Sequence, residues 1–403
     1  MLIRKAYKFK LKTDNQIEQK LVLFSGHCRF VWNKVFHYNM DLLAKKKPIM
    51  RYQESTFWLQ LWKQSEEYSF LNECHSQVLQ QKLMDLDRAF LDGFDKKQPN
   101  KKLPNKKKKG ISDSFRYNQG FKLDNRRIFL PKIGWVGFHK SQNITGKPKN
   151  ITISKKAGSW YAAIQVETEI EVSISQNKSA VGIDMGVANF ATLSNGKIYE
   201  PLNSFKKLQN DLAKQQRKLA KKQKFSNNWQ KQVKKIQVTH NTIANARKDY
   251  LHKASNEICK NHATIYIEDL KVANMSKSAK GTLENKGRNV KAKSGLNKSI
   301  LDQGWYEFRR QLEYKAFWLN QDVIAVDAKY TSQKCSCCGY KAKENRQSQA
   351  IFQCQECNHT ENADINAAKN ILALGQSVTA CGVDALVTTA KQEPLRNREK
   401  VSA

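Results

Sequence analysis

No run of about 18 apolar residues occurs anywhere in the chain, so no membrane-spanning helix is expected. The N-terminal Met1-Leu2-Ile3-Arg4-Lys5 lacks the apolar core of a secretory signal, which sets the expectation of a cytoplasmic protein without a membrane partner. Acidic residues are scarce. There are 36 against 71 basic ones, for a formal charge of +35. A compact state with that excess repels itself unless a polyanion is at hand, so nucleic acid is the expected partner and an inert basic surface the weaker alternative. Isolated cysteines are few as well. Of nine, only Cys28, Cys74, Cys259 and Cys381 are scattered, while five crowd between Cys335 and Cys357. That distribution argues against a disulfide framework and for a metal site in a reducing compartment.

What is present reads in two styles. Leu2 to Lys12 alternates apolar residues (Ile3, Ala6, Phe9, Leu11) with basic ones, as a strand with one face toward phosphate or solvent does. Asp14 caps a helix carrying Ile17, Leu21, Leu23, Phe24, Cys28, Phe30, Val31, Trp32 and Val35, and a further helix from His75 to Phe94 turns Leu79, Leu83, Leu86 and Phe90 inward. Asp85, Asp87 and Asp92 on that helix read as solvated charges. Between Asp95 and Gly110 the composition collapses to Lys, Asn and Pro, which predicts a mobile loop or an arm that tracks phosphates. Short strands at Ile128 to Leu130, Trp135 to Phe138, Ile151 to Ile153 and Trp160 to Val166 then predict a small β-barrel or curved sheet, joined by the N-terminal strand.

From Ser179 the pattern becomes alternating strand and helix. A strand ends at Asp184, and a second and third are joined by Asn195-Gly196. A basic helical pair runs from Phe205 to Lys260, with Leu208, Leu212, Leu219, Val233, Ile236, His240 and Ile243 as its seam. Ala263 to Glu268 is again a strand ending in an acid. A lysine-dotted flap follows from Met275 to Lys298, then a helix from Gln303, a strand at Val323 to Val326, and a helix opened by Asp364. The tail from Gly375 lacks periodicity and is expected to be disordered.

This element order is that of the RNase H-like fold, in which carboxylates at two strand ends and on a late helix converge. Asp184, Glu268 and Asp364 are the candidate catalytic residues. Three gathered carboxylates repel unless cations sit between them, and hard oxygen ligands suit Mg²⁺. Such a triad holds two Mg²⁺ ions about 4 Å apart, one activating water and one stabilising the leaving oxygen of a phosphodiester. Glu268 and Asp269 compete for the middle position, since neighbours on a strand face opposite ways; Glu268 is preferred, with Asp269 as a cap or supporting residue. The cysteine crowd contains Cys335-x-x-Cys338 and Cys354-x-x-Cys357. Two such knuckles joined by about 15 residues form a zinc ribbon, with one structural Zn²⁺ on Cys335, Cys338, Cys354 and Cys357; Cys337 and His359 are weaker substitutes.

Val181-Gly182-Ile183-Asp184-Met185-Gly186, Ile267-Glu268-Asp269-Leu270, the stretch from Tyr330 through Cys338-Gly339, and Ala363-Asp364-Ile365-Asn366-Ala367-Ala368 together resemble the signature segments of TnpB, the OrfB-type proteins of insertion sequences related to type V CRISPR effectors. The resemblance is most specific in the second half. It implies an α/β protein plus β-barrel: a wedge-like barrel at 1–13 and 111–175, a helical recognition insertion at 14–110, a RuvC-like nuclease domain at 176–330 and 360–374, a zinc-ribbon module binding target nucleic acid at 331–359, and a tail at 375–403. It further implies a monomeric, Mg²⁺-dependent, RNA-guided endonuclease of prokaryotic cells, nucleoid-associated when on DNA. Its guide RNA would come from the end of the element, and it would cut double-stranded DNA beside a short motif, with its triad on Asp184, Glu268 and Asp364. An RNA-independent transposase or resolvase, or a non-catalytic nucleic-acid-binding regulator, is the alternative. Asn358 stands where a glycine often follows the second knuckle.

Overall fold

The computed structural model describes residues 1–111, 113–169, 179–282, 284–327 and 329–380. The chain divides into two compact units, Met1–Ile170 and Glu171–Ala403.

In the first unit, β1 (Leu2–Lys12) leads into α1 (Asn15–Ala44), which Asp14 caps by accepting from the Ile17 amide at 2.7 Å. Next come α2 (Tyr52–Gln64), a 3₁₀ segment (Glu66–Glu73) and α3 (Ser76–Phe94). Six strands follow: β2 (Ser114–Tyr117), β3 (Lys122–Asp124), β4 (Arg127–Leu130), β5 (Gly134–Phe138), β6 (Lys147–Lys156) and β7 (Ser159–Glu169). The sheet is antiparallel in the order β2-β6-β7-β1-β5-β4-β3. β1 pairs with β7 through Lys10 and with β5 at Leu11 and Lys12, so one strand bridges both halves. Its buried face is Ile3, Phe9 and Leu11, with Tyr7 half-buried beside them; Ala6 falls on the other face because residues two apart share a side. The order is linear, with β2 and β3 as edges, so the ladders describe an open sheet.

Two expectations for this unit change. The basic run is held in place: Asn33 donates to and accepts from the Lys107 backbone at 3.0 and 2.7 Å, the Trp32 indole N–H donates to the Asn105 carbonyl, and Leu103 packs against Gly93. The aspartates of α3 are not merely solvated, since Asp85 pairs with Arg116, Asp87 with Arg51 and Asp92 with Lys101. Phe115 and Tyr117 lie in the core, whereas Trp135 is 45% exposed and packs on Phe129.

In the second unit, β8 (Ala180–Asp184), β9 (Ala191–Leu193) and β10 (Ile198–Tyr199) precede the helical hairpin α4 (Ser204–Ala220) and α5 (Asn227–Asn261). Then come β11 (Thr264–Glu268), α6 (Val272–Met275), α7 (Val290–Gln303), α8 (Trp305–Trp318) and β12 (Asp322–Val326), the small ribbon β13 (Ile351–Gln353) with β14 (Thr360–Asn362), and α9 (Ala363–Ala380). The sheet order is β10-β9-β8-β11-β12, with β8, β11 and β12 parallel. One face packs on α5 and α8 through Ile183, Ile258, Ile267, Phe308 and Leu312; on the other, Tyr266, Ile324 and Val326 meet Ile371 of α9.

Three corrections follow here. The expected tail begins later than Gly375: α9 continues to Ala380, because Gly375 is buried against the Tyr266 ring and the Tyr266 hydroxyl bonds Thr379 at 3.1 Å. The remaining tail residues, 381–403, and the domain junction at 170–178 lie outside the described residues. The expected flap is partly helical, since Val290–Lys298 belongs to α7. In the hairpin, His240 is exposed and Thr239 takes its place in the seam, bonded to Gln215.

Candidate functional site

Parallel strands end side by side, and their C-terminal ends are where an open α/β sheet presents its reactive groups. Ile183 is paired with Ile267, so the next residues, Asp184 and Glu268, emerge together at that edge. The third carboxylate arrives on α9. Asn362 starts this helix by accepting the amides of Asp364 and Ile365 at 3.0 and 3.3 Å, which fixes Asp364 in the first turn. The helix lies close on β8 because Gly182 has no side chain: a Cβ there would stand 2.6 Å from the Leu372 amide and closer still to the Ala368 carbonyl.

Asp184 and Glu268 each feel a neighbouring acid. Burial, then the Asp364 charge, pushes the Asp184 carboxyl up to about 7, against the opposing pull of Arg346 and the Met185 amide. Burial, then Asp184, pushes Glu268 up to about 8, with Thr331 opposing. Asp364 accepts from Asn189 at 2.9 Å and has Arg346 at 3.8 Å; Thr331 donates to Glu268 at 3.4 Å. Asp269 turns to Arg309, 2.6 Å away. A half-buried cluster of like-charged hard oxygen donors fits a divalent cation, which would offset both the burial and the repulsion. Asn189 and Arg346 carry no sequence signal of their own, and Thr331 lies within a signature stretch without being singled out in it. Only their nearness to a motif could have suggested them.

The four thiols are gathered more tightly. Cys335, Cys338, Cys354 and Cys357 have sulfurs all within 4.8 Å of one another, and no other His, Cys, Asp or Glu group among the described residues meets that measure. The donor set and spacing fit tetrahedral Zn²⁺. Cys337 contributes its amide to the Cys335 sulfur at 3.4 Å and leaves its thiol exposed, while His359 faces Glu361. Asn358 has φ 56°, the left-handed conformation of a glycine, which asparagine tolerates; the mirrored turn at the first knuckle uses Gly339 at φ 80°. The ribbon is fastened to α9. Asn366 accepts the Ser336 amide and donates to the Lys334 carbonyl, both at 2.9 Å, and Asn370 one turn on donates to the carbonyls of Thr331 and Lys334.

Comparison with known proteins places this geometry. Residues 163–279 match the OrfB family of IS605 elements, described as a probable transposase, and residues 305–371 match the Cas12f1-like TNB domain. Residues 1–48 match the helix-turn-helix model of the same OrfB group, although here they form a strand and one long helix. The chain is 52% identical over 379 residues, 94% of each chain, to the Escherichia coli K12 protein named "Putative RNA-guided DNA endonuclease InsQ". A Streptomyces pristinaespiralis protein of like designation is 30% identical over 94% of this chain and 91% of its own. Among solved structures, a Cas12f1 chain in complex with sgRNA and target DNA superposes with TM-score 0.55 at 12% identity, covering 92% of this chain and 98% of that one, a likeness of fold.

Proposed function

Since the chain belongs to the OrfB-type (TnpB) family of insertion-sequence proteins, we propose that it is an RNA-guided endonuclease that cuts double-stranded DNA beside a short target-adjacent motif. The observation that carries this reading is the convergence of Asp184, Glu268 and Asp364 at one edge of a parallel sheet in a chain of formal charge +35. Mg²⁺ held by these three would supply an activated water and a stabilised leaving oxygen for phosphodiester hydrolysis. The chain's own contribution is to hold the carboxylates in place, through Asn362, Asn189 and Thr331.

Zn²⁺ on Cys335, Cys338, Cys354 and Cys357 is structural in this reading, because four thiolates leave no open position for a substrate. The zinc module serves target nucleic acid, the open seven-stranded sheet takes the part of the wedge, and α1 to α3 form its recognition insertion. The guide is RNA from the end of the element, and the protein works as a monomer.

The test is to purify the protein with its RNA and challenge it with a plasmid library in which sequence matching the RNA's end adjoins randomised flanks. Matched cleavage that needs both Mg²⁺ and Asp184, lost in Asp184→Ala, supports the reading and gives the flanking motif. Absence of RNA, with binding to element ends instead, would replace it by an RNA-independent transposase.

A further inference from the structure

Beside the carboxylates the second unit carries a hollow of about 560 Å³ that the chemistry above does not use. Its floor is apolar, formed by Met185, Leu270, Val272 and Trp305, and Glu268 stands in its wall. The hollow therefore borders one of the three carboxylates. Tyr306 lines the mouth and is 75% exposed, although its neighbours Trp305 and Phe308 on α8 are fully buried. So large an exposed ring forfeits apolar burial unless something covers it.

Three cations border the same space, Lys271, Arg309 and Arg310. Arg309 is held by Asp269 and Glu313, and Arg310 by both carboxylate oxygens of Glu307 while it lies over the Tyr314 ring. These pairs fix the guanidinium groups as walls. The Trp305 indole N–H is buried with no acceptor among the described residues, though the residue itself is only 3% exposed. A buried donor left unmet is costly, and an occupant's acceptor atom would satisfy it once the side chains that now cover the indole nitrogen shift aside.

We propose that this hollow receives one unstacked base of the DNA strand being cut, stacked on Tyr306 with its acceptor edge toward Trp305, so that the neighbouring phosphate is delivered to Glu268, Asp184 and Asp364. The occupant is a nucleobase because it alone combines a flat apolar face, an acceptor edge and an attached phosphate. Stacking tolerates any base, so the site positions the strand without reading its sequence. The inference rests on the nuclease reading and deepens it.

The experiment uses the full-length protein with its co-purified RNA and Mg²⁺, in single turnover, on a guide-matched duplex carrying one abasic nucleotide walked across the scissile phosphate. Wild-type protein is expected to lose about tenfold or more in rate at one abasic position, the scale of one base–aromatic stack. Tyr306→Ala is expected to slow intact DNA by a similar factor and to be indifferent to that abasic position; Tyr306→Phe, which keeps the ring, recovers the sensitivity. An abasic profile that is flat in wild type, or identical in wild type and Tyr306→Ala, overturns the site while leaving the nuclease standing. Failure of wild-type protein to cut the intact matched duplex overturns the nuclease reading and this site with it.

Discussion

Gly182→Ala tests how the third carboxylate is placed. The added methyl would sit 2.6 Å from the Leu372 amide and nearer still to the Ala368 carbonyl, both backbone atoms of α9 that no side-chain rotation can clear. Restoring ordinary contact requires α9 to lift from β8 by about 1 Å, and a misplacement of that size costs on the order of a hundredfold in a positioned reaction. Overpacking of this kind also costs about 1–3 kcal/mol of stability, so the two effects must be separated. Gly196→Ala is the control: its φ of 87° strains an alanine, but nothing lies within 4 Å, so it lowers the melting temperature and spares cleavage. The assay is single-turnover guided cleavage, alongside melting temperature, zinc content and RNA retention. Gly182→Ala should keep zinc and RNA and lose about two orders of magnitude in rate. A rate within threefold of wild type would refute the idea that the β8–α9 approach sets the position of Asp364.

Replacing Cys354 by serine should release the one zinc expected per chain, read with a colorimetric chelator, and open the ribbon to proteolysis between Thr331 and Asn362, because structural zinc binding is folding energy. Asp302→Ala should cost about 3 kcal/mol, seen as a lower melting temperature and faster proteolysis at the hairpin tip, since it strips Arg247 of its partner and the start of α4 of its acceptor; Asp302→Asn should recover part of the loss. Lys315 is buried, donating to the His252 carbonyl and Ser255 hydroxyl, and burial pulls it down to about 8 while Cys259 opposes. From about pH 8 to its ordinary 10.5 the unfolded chain holds a proton the folded one has lost, so stability should rise with pH there. Lys315→Met should flatten that rise in urea-unfolding midpoints measured at intervals across the window.

Much of this was legible in the sequence because short-range rules govern it. The alternation of Leu2 to Lys12, the strands that end in Asp184 and Glu268, and the two knuckles each declare themselves within a dozen residues. What escaped depends on partners far along the chain. The basic run reads by composition as a mobile loop or a phosphate-tracking arm, and Trp32 and Asn33 tie its Asn105 and Lys107 from some 70 positions away. The start of α4 has no cap of its own, with Asn203 at φ 51°; Asp302, at the far end of α7, accepts the Phe205 amide instead. The stretch from Gly375 lacks periodicity, yet Gly375 is what lets α9 pass over Tyr266. Likewise Arg346, inside the zinc ribbon, stands 3.8 Å from Asp364, a meeting that only the folded ribbon brings about.

The attachment of that ribbon has a consequence for how such chains diversify. Its incoming end is tied by Asn366 and Asn370, and its outgoing end is Asn362, the residue that begins the same helix. Both ends of the insert are thus anchored within three turns of α9, and the Thr331 hydroxyl adds one bond to Glu268 at the edge of the sheet. Loop closure across so short a span changes only slowly with the number of residues enclosed. The ribbon is in effect a cassette. Its interior can lengthen, shorten or be exchanged over evolutionary time while the helix that carries Asp364 keeps its seat, provided that the two asparagine clasps survive.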